Sequence, residues 1–175
     1  NTIGMELSDL ACFTGLEGIW LDDDLSWGDL DGLEHLQWIY VENNLSDLLK
    51  IIPNPENILS LSITDSIFER ALDGIEAFSN LQYLTVEYDF LEDISALENL
   101  PFLEGLSLLG CNRLTDYSPL LSLGWLRSLS LQSSQLKTID FISSMPDLTS
   151  LYVEDSQISN VDALTDCPNL TALSL

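Results

Sequence analysis

The sequence is dominated by one short pattern, L-x-x-L-x-L, in which apolar residues take the first, fourth and sixth places. It returns every 20 to 23 residues along almost the whole 175-residue chain. Such a regular interval is the signature of a repeat architecture in which each unit forms one coil of a stack. The pattern begins at Leu16, Leu36, Ile58, Leu81, Leu103, Leu126, Leu148 and Leu170.

Each repeat predicts one strand followed by one return. The alternation at the fourth to sixth places sends apolar side chains to one face of a strand. A second apolar set, such as Ile94, Leu97 and Leu100, has the three-residue spacing typical of a helical or 3-10 turn. In the 23-residue repeats this set lies one place later, so the insertions fall in the turn. One unit buries too little apolar surface to fold alone, and we expect an α/β solenoid of stacked coils.

From Leu16 to Leu175 the sequence resembles the leucine-rich repeat superfamily. The 22-residue interval, with outer segments such as "ISALENLPFL" and "VDALTDCPNL", resembles its internalin-like subclass. The resemblance implies an arc with a parallel concave β-sheet, short helical or 3-10 returns on the convex side, and a role in protein recognition. We expect residues 1–175 to form a single domain of about eight repeats within a longer chain.

The ninth place of the repeat, which is Asn or Cys in that superfamily, holds small residues here. Asn44 and Cys111 match the family pattern, and the other members depart from it. We expect these side chains to hydrogen-bond the turning backbone. The column consists of Asp24, Asn44, Ser66, Asp89, Cys111, Ser134 and Ser156.

The chain is strongly acidic, with 29 Asp and Glu against 5 Lys and Arg and a net charge of -24 at pH 7. This charge disfavours sequence-independent attraction to a nucleic-acid backbone or an anionic lipid surface. No apolar run approaches the roughly 20 residues of a spanning helix. We therefore expect no nucleic acid, no membrane insertion, a monomer, and a protein or peptide partner that carries basic residues.

The candidate binding residues lie at the third, fifth and seventh places, which should face the concave side. Aromatic residues crowd these places in the first four repeats, with acidic residues beside them. Binding hot spots are enriched in Trp and Tyr, whereas a strand face turned away from the core does not need them to fold. Two alternatives stay open: the aromatics pair across strands for stability, and the acids only maintain solubility. The predicted partner-binding residues are Trp20, Asp22, Trp38, Tyr40, Glu42, Tyr83, Glu87, Tyr152 and Glu154.

The stretch "IWLDDDLSWGDLDGL", Ile19 to Leu33, places five aspartates around two tryptophans. It matches the ligand spacing of a calcium loop only loosely, so we predict no metal site. Asp22 and Glu42 should stand about 5 Å apart on adjacent strands and repel by about 1 kcal/mol. Because a cation would relieve this repulsion, the pair favours a Lys- or Arg-bearing ligand.

Catalysis finds little support in the sequence. The single histidine, His35, lies on an outer connection, and no glycine-rich phosphate cradle is present. The three cysteines, Cys12, Cys111 and Cys167, are odd in number and lack metal-ligand spacing, so we predict buried free thiols. We predict that the protein is not an enzyme and uses no cofactor.

These features support three functional hypotheses. The first is a protein-binding arc that resembles internalin-like surface proteins of bacteria, for which a secreted or cell-surface location is favoured over the cytoplasm. The alternative is an intracellular acidic inhibitor or regulator that occludes a basic enzyme. A third is a passive spacer whose concave face has no role.

Overall fold

A computed structural model describes residues 12–21, 30–42, 45–64, 69–132 and 135–175 of the chain. Within these ranges, eight parallel strands form one sheet in sequence order, so each repeat adds one strand beside the last. The predicted solenoid of stacked coils is confirmed. The strands are β1 Gly18–Leu21, β2 Trp38–Glu42, β3 Ser60–Thr64, β4 Tyr83–Glu87, β5 Gly105–Leu109, β6 Ser128–Gln132, β7 Ser150–Glu154 and β8 Ala172–Ser174.

The hydrophobic core lies on one side of this sheet, beneath the fourth and sixth places of the repeats. In the middle of the sheet Leu84 pairs with Leu106, and Leu106 with Leu129, and all three are at most 2% exposed. A 23-residue repeat keeps the same register, because Ser60 pairs with Tyr83. The insertions therefore lie in the returns, as the sequence predicts.

The returns bury the second apolar ladder. Ile94, Leu97 and Leu100 are at most 1% exposed, and a 3-10 segment carries the chain past them. The predicted 3-10 returns are confirmed. The segments are Pro55–Asn57, Ile75–Ala77, Ser95–Asn99, Ser118–Ser122, Asp140–Ser144 and Asp162–Asp166.

Each of the last four returns begins with a local turn, in which a short polar side chain accepts a hydrogen bond from a backbone N–H two residues further on. In the first of them, the Ser95 backbone N–H donates to Asp93 Oδ1 at 2.8 Å. The Ser95 backbone and side chain together hold the pKa of Asp93 below its usual range. The same turn recurs one coil apart, with backbone N–H donors at Ser118, Asp140 and Asp162 and side-chain acceptors at Asp116, Thr138 and Asn160.

The second coil departs from this pattern, because its return begins with the α-helix α1, Leu45–Ile51. The carboxylate of Glu69, from the next coil, accepts the backbone N–H groups of Leu45 and Ser46, each at 2.9 Å. Two of the N–H groups that a helix leaves unsatisfied at its start are thus paired. Tyr88, which is 1% exposed, places its hydroxyl 3.5 Å from the same carboxylate.

The ninth place of the repeat is filled in different ways. Cys111 fits the expectation, because it is buried and its Sγ lies 3.4 Å from the carbonyl oxygen of Leu109. Asp89 is exposed instead, and the preceding Tyr88 takes the buried position. Four predicted members, Asp24, Asn44, Ser66 and Ser134, lie outside the described residues.

Candidate binding surface on the concave face

The concave face is the side of the sheet opposite the core, and it carries the third, fifth and seventh places of each repeat. Four of the five predicted aromatic residues are well exposed, and Tyr40 is half-buried. Because the core lies beneath the other face, these rings are not needed to fill it. Their exposed fractions are 64% for Trp20, 49% for Trp38, 50% for Tyr83 and 41% for Tyr152.

Trp20, Trp38 and Tyr40 form an aromatic cluster on β1 and β2. The ring centroids of Trp20 and Tyr40 are 4.1 Å apart, with planes tilted by 42°. Trp38 lies over its register partner Gly18, where a methyl group would come within 1.6 Å of the indole Cε2. The indole therefore leans toward β1 and away from β3, into space that only a glycine leaves open.

Tyr83 repeats this arrangement in the opposite direction. It lies over Gly105 of β5, where a methyl group would come within 2.8 Å of the ring Cδ1. Ser60 of β3 pairs with Trp38 on one side and with Tyr83 on the other. Since the two rings lean away from each other, the small Ser60 side chain lies in a gap between them.

Tyr40 is held in place by the sheet as well as by the cluster. Its hydroxyl and the Thr64 Oγ1 of β3 share a hydrogen bond of 3.2 Å, and Thr64 is only 5% exposed. Thr64 occupies a seventh place and is buried there beside the Tyr40 hydroxyl. A hydroxyl in this setting is stabilising because its partner replaces water. Tyr40 thus has the cross-strand role that the sequence left open as an alternative.

Two predicted carboxylates flank this pair. Glu42 and Glu87 are the register partners of Thr64 on β2 and β4. Two strand spacings, about 10 Å, separate those strands. Neither carboxylate takes part in the ion pairs found among the described residues, which join Lys50 to Asp47, Arg70 to Glu92, Arg113 to Glu92 and Arg127 to Glu104.

The concave face has no positive charge to balance these carboxylates. None of the five basic residues occupies a third, fifth or seventh place. Acidic residues occupy the seventh place in four of the repeats. The negative potential of the chain is therefore uncompensated on this face. The basic residues are Lys50, Arg70, Arg113, Arg127 and Lys137.

The predicted binding residues do not all form one patch. Tyr83 and Glu87 stand across β3 from the aromatic cluster. Tyr152 and Glu154 are on β7, three strand spacings or about 14 Å beyond β4. Serines fill most of the third and fifth places between them. Asp22 lies outside the described residues, so its predicted repulsion with Glu42 stays a prediction.

Sequence reasoning missed the two glycines over which the rings of Trp38 and Tyr83 lie. Gly18 and Gly105 occupy the third place, beside Trp38 and Tyr83 respectively. The signal was available, because a glycine beside a large ring on the neighbouring strand leaves room for that ring. These glycines set which way each ring leans and belong to the site.

The part of the chain that the structure describes offers few groups for metal binding or catalysis. Those residues hold no group of three or more His, Cys, Asp or Glu placed to bind a metal ion. His35 is exposed on a turn before β2. Cys111 and Cys167 are buried, as predicted, whereas Cys12 is exposed and that part of the prediction is wrong. Burial raises the pKa of Cys111 to about 11 and makes its thiol unreactive.

No helix within the described ranges has the length and apolar character that crossing a membrane requires. The longest helix there, α1, has 7 residues and contains both Asp47 and Lys50.

The fold is that of a leucine-rich repeat protein of the internalin-like form. It is similar to an internalin (inlF) of Listeria monocytogenes, with a TM-score of 0.72 and 22% identity over 98% of this chain. It is similar to internalin C2 of the same species, with a TM-score of 0.67 and 23% identity over 83% of the chain. A leucine-rich repeat protein of Leptospira interrogans gives a TM-score of 0.61 and 17% identity over 96% of the chain.

The chain corresponds to only part of these proteins, with 51%, 65% and 50% of their respective lengths matched. No protein-family model and no curated protein matches the sequence. The similarity therefore defines the fold, and the function has to be inferred from the residues of the concave face.

Proposed function

We propose that this domain is a protein-interaction module that binds a protein or peptide partner with basic residues on its concave face. The domain acts as a monomer in a bacterial protein, and a secreted or cell-surface location follows from the sequence resemblance. The fold shared with two Listeria proteins and one Leptospira protein supports a bacterial origin. The binding residues are Trp20, Asp22, Trp38, Tyr40, Glu42, Tyr83, Glu87, Tyr152 and Glu154.

One observation carries the proposal: large rings are exposed on a strand face that has no core to fill. Trp20 and Trp38 are 64% and 49% exposed although both lie in strands of the sheet. A rigid aromatic surface loses little side-chain entropy on binding, and such rings dominate interface energetics. Each of these rings has a cross-strand neighbour, but that packing still leaves about half or more of Trp20 and Trp38 exposed.

Charge supports the choice of a basic partner. Glu42, Glu87 and Glu154 belong to none of the ion pairs formed within the described ranges. A positive surface on the partner would be attracted over the screening length of about 8 Å and would be guided into register. The aromatic rings next to these carboxylates can also contact cationic groups face-on.

A pull-down that compares matched aromatic pairs tests this function. The double variant Trp38→Ala/Tyr40→Ala should reduce recovery of the wild-type partner at least about tenfold, since single hot-spot rings contribute about 2 kcal/mol or more. The control, Phe102→Ala/Trp125→Ala, removes two rings that are 56% and 40% exposed outside the concave places. It should recover the partner normally.

Salt provides the second arm of this experiment. Raising the ionic strength from about 0.1 M to about 1 M shortens the Debye length from about 10 Å to about 3 Å and should weaken capture of a basic partner. Equal recovery by wild type and the Trp38/Tyr40 variant would refute the concave face as the binding surface. Recovery that is insensitive to salt would refute the basic character of the partner.

A further inference from the structure

A groove lies between the returns of the fifth and sixth coils, at the 3-10 segments Ser118–Ser122 and Asp140–Ser144. Its volume is about 440 Å³, within the range of about 300–1,000 Å³ that small-molecule sites occupy. The groove is separate from the concave face, because its lining residues lie outside the third, fifth and seventh places. The residues on which its chemistry depends are Tyr117, Leu121, Lys137, Thr138, Asp140 and Phe141.

Two aromatic rings line the groove side by side. The ring centroids of Tyr117 and Phe141 are 6.0 Å apart, and the angle between their planes is 17°. Phe141 is 7% exposed, and it occupies the second place of its 3-10 segment, which is Ala96 or Ala163 in two other coils. Tyr117 is half-buried, and its hydroxyl donates to the Leu114 carbonyl oxygen at 3.3 Å. Both rings are thus held by the fold and offer a rigid apolar surface.

Leu121 adds an apolar side chain that the fold does not require. It is 54% exposed and is the fourth residue of its 3-10 segment. The same place holds polar residues in the other five-residue segments, namely Glu98, Ser143 and Thr165. Since a polar side chain at this place is compatible with stacked coils, the exposed leucine beside the two rings favours an apolar ligand group.

Opposite charges line the same groove without pairing. Of the five basic residues, Lys137 is the one that forms no ion pair within the described ranges. The hydrogen bonds that Asp140 makes there involve its backbone, whose N–H donates to Thr138 Oγ1 at 3.2 Å and whose carbonyl oxygen accepts from Ser143 Oγ at 2.8 Å. An ammonium group and a carboxylate are therefore both left for a ligand.

A ligand that matches both charges carries an anion and a cation close together beside an apolar group. A carboxylate alone would be repelled by the net charge of -24, whereas a zwitterion has no net charge and is not repelled. Each end of a zwitterion can form a charge-assisted hydrogen bond with the group of opposite sign. An aromatic side chain suits the two rings, because aromatic groups pack favourably in offset or edge-to-face contacts.

We propose that this groove binds a free aromatic α-amino acid. The ligand's ring lies against Tyr117 and Phe141 beside Leu121. Its α-carboxylate accepts from Lys137 Nζ, and its α-ammonium group donates to the Asp140 carboxylate. The site is independent of the concave face, and it adds a small-molecule ligand to the proposed function.

The test is a nuclear magnetic resonance titration of the ¹⁵N-labelled chain with L-phenylalanine in about 0.15 M salt, which screens long-range attraction. The backbone N–H signals of Thr138, Asp140 and Phe141 should shift, with a dissociation constant on the order of 1 mM. Three probes each lack one part of the ligand. L-Alanine, without the ring, should bind at least about tenfold more weakly. L-Phenylalaninamide, without the carboxylate, and 3-phenylpropionate, without the ammonium group, should each bind at least about fivefold more weakly.

Variants assign each contact to its probe. Lys137→Gln should weaken L-phenylalanine binding about fivefold or more and leave L-phenylalaninamide binding unchanged, since that probe has no carboxylate. Asp140→Asn should have the same effect on L-phenylalanine and leave 3-phenylpropionate binding unchanged. Leu121→Ala should weaken L-phenylalanine about threefold or more by removing apolar contact. Lys50→Gln and Val161→Ala, which change an exposed lysine and an exposed apolar side chain elsewhere, should leave all dissociation constants unchanged.

The outcomes that would overturn the site are distinct from those for the concave face. Equal binding of L-phenylalanine and L-alanine, or no shift at about 20 mM L-phenylalanine, would refute an aromatic amino-acid site. Unchanged L-phenylalanine affinity in both Lys137→Gln and Asp140→Asn would refute it as well. Trp38→Ala/Tyr40→Ala should leave this titration unchanged, so the groove and the proposed function can fail separately.

Discussion

Replacing Leu120 with alanine should lower the free energy of unfolding by about 3 kcal/mol. Leu120 lies in the 3-10 segment Ser118–Ser122 and is 0% exposed in the outer apolar ladder. Truncation of a buried leucine loses its transfer free energy and leaves a cavity, at a cost of about 2–5 kcal/mol. In a stack of coils the defect also weakens the interfaces with both neighbouring coils. Urea denaturation followed by circular dichroism measures the loss.

The control lies at the next residue. Leu121 is 54% exposed, so Leu121→Ala should change the free energy of unfolding by less than about 0.5 kcal/mol. The composition change is identical in the two variants, and only the side of the return differs. Equal destabilisation by both variants would contradict the described packing of the returns.

Replacing Gly18 with alanine should displace Trp38 without unfolding the protein. The added methyl group would come within 1.6 Å of the indole Cε2, and the ring must rotate away from β1. The backbone cost is small, since Gly18 lies in β1 and alanine reduces the entropy of the unfolded chain. If Trp38 binds the partner as we propose, affinity should fall about tenfold or more, because the ring leaves its place over Gly18. Binding is measured with the wild-type partner and folding by thermal denaturation.

Gly15 provides the matched control for this substitution. A methyl group at Gly15 would meet no atom within 4 Å, so Gly15→Ala should preserve both folding and partner affinity. Unchanged affinity in Gly18→Ala would mean that the position of the Trp38 ring over Gly18 does not matter for binding. Equal loss in both variants would show that the effect does not come from the indole.

Most of the fold could be predicted from the sequence, because the spacing of apolar residues determines which side chains must be covered. Leu84 and Leu106 occupy the same place in successive repeats, and stacking is the arrangement that buries both. The shift of the second ladder in 23-residue repeats likewise placed the insertions in the returns. Both features follow from the local spacing of apolar residues, without contacts between distant residues.

Helix α1 could not be predicted in the same way. Its first two backbone N–H groups depend on Glu69, which lies one coil further along the chain. Nothing in the local spacing indicates that a carboxylate from the next coil reaches back to this position. The burial of Tyr88 in place of Asp89 has the same origin, since the Tyr88 hydroxyl faces the same carboxylate.

The concave face was predictable in its composition and only partly in its shape. The places of Trp20 and Trp38 in the repeat required them to face away from the core, and both are exposed. The half-burial of Tyr40 depends on its hydroxyl reaching Thr64 across a strand, which register alone does not determine. Trp38 and Tyr83 lean apart because each ring lies over a glycine of the neighbouring strand, Gly18 or Gly105, and those glycines are visible in the sequence.

Hydroxyl-radical footprinting of the complex with the recovered partner tests the central claim most directly. Trp20 and Trp38 are exposed in the free protein, and we expect the partner to reduce their oxidation at least about fivefold, since hot-spot rings become desolvated. Phe102 and Trp125, outside the concave places, should keep their free-state rate. Protection of Phe102 and Trp125 with no change at Trp20 and Trp38 would contradict the account.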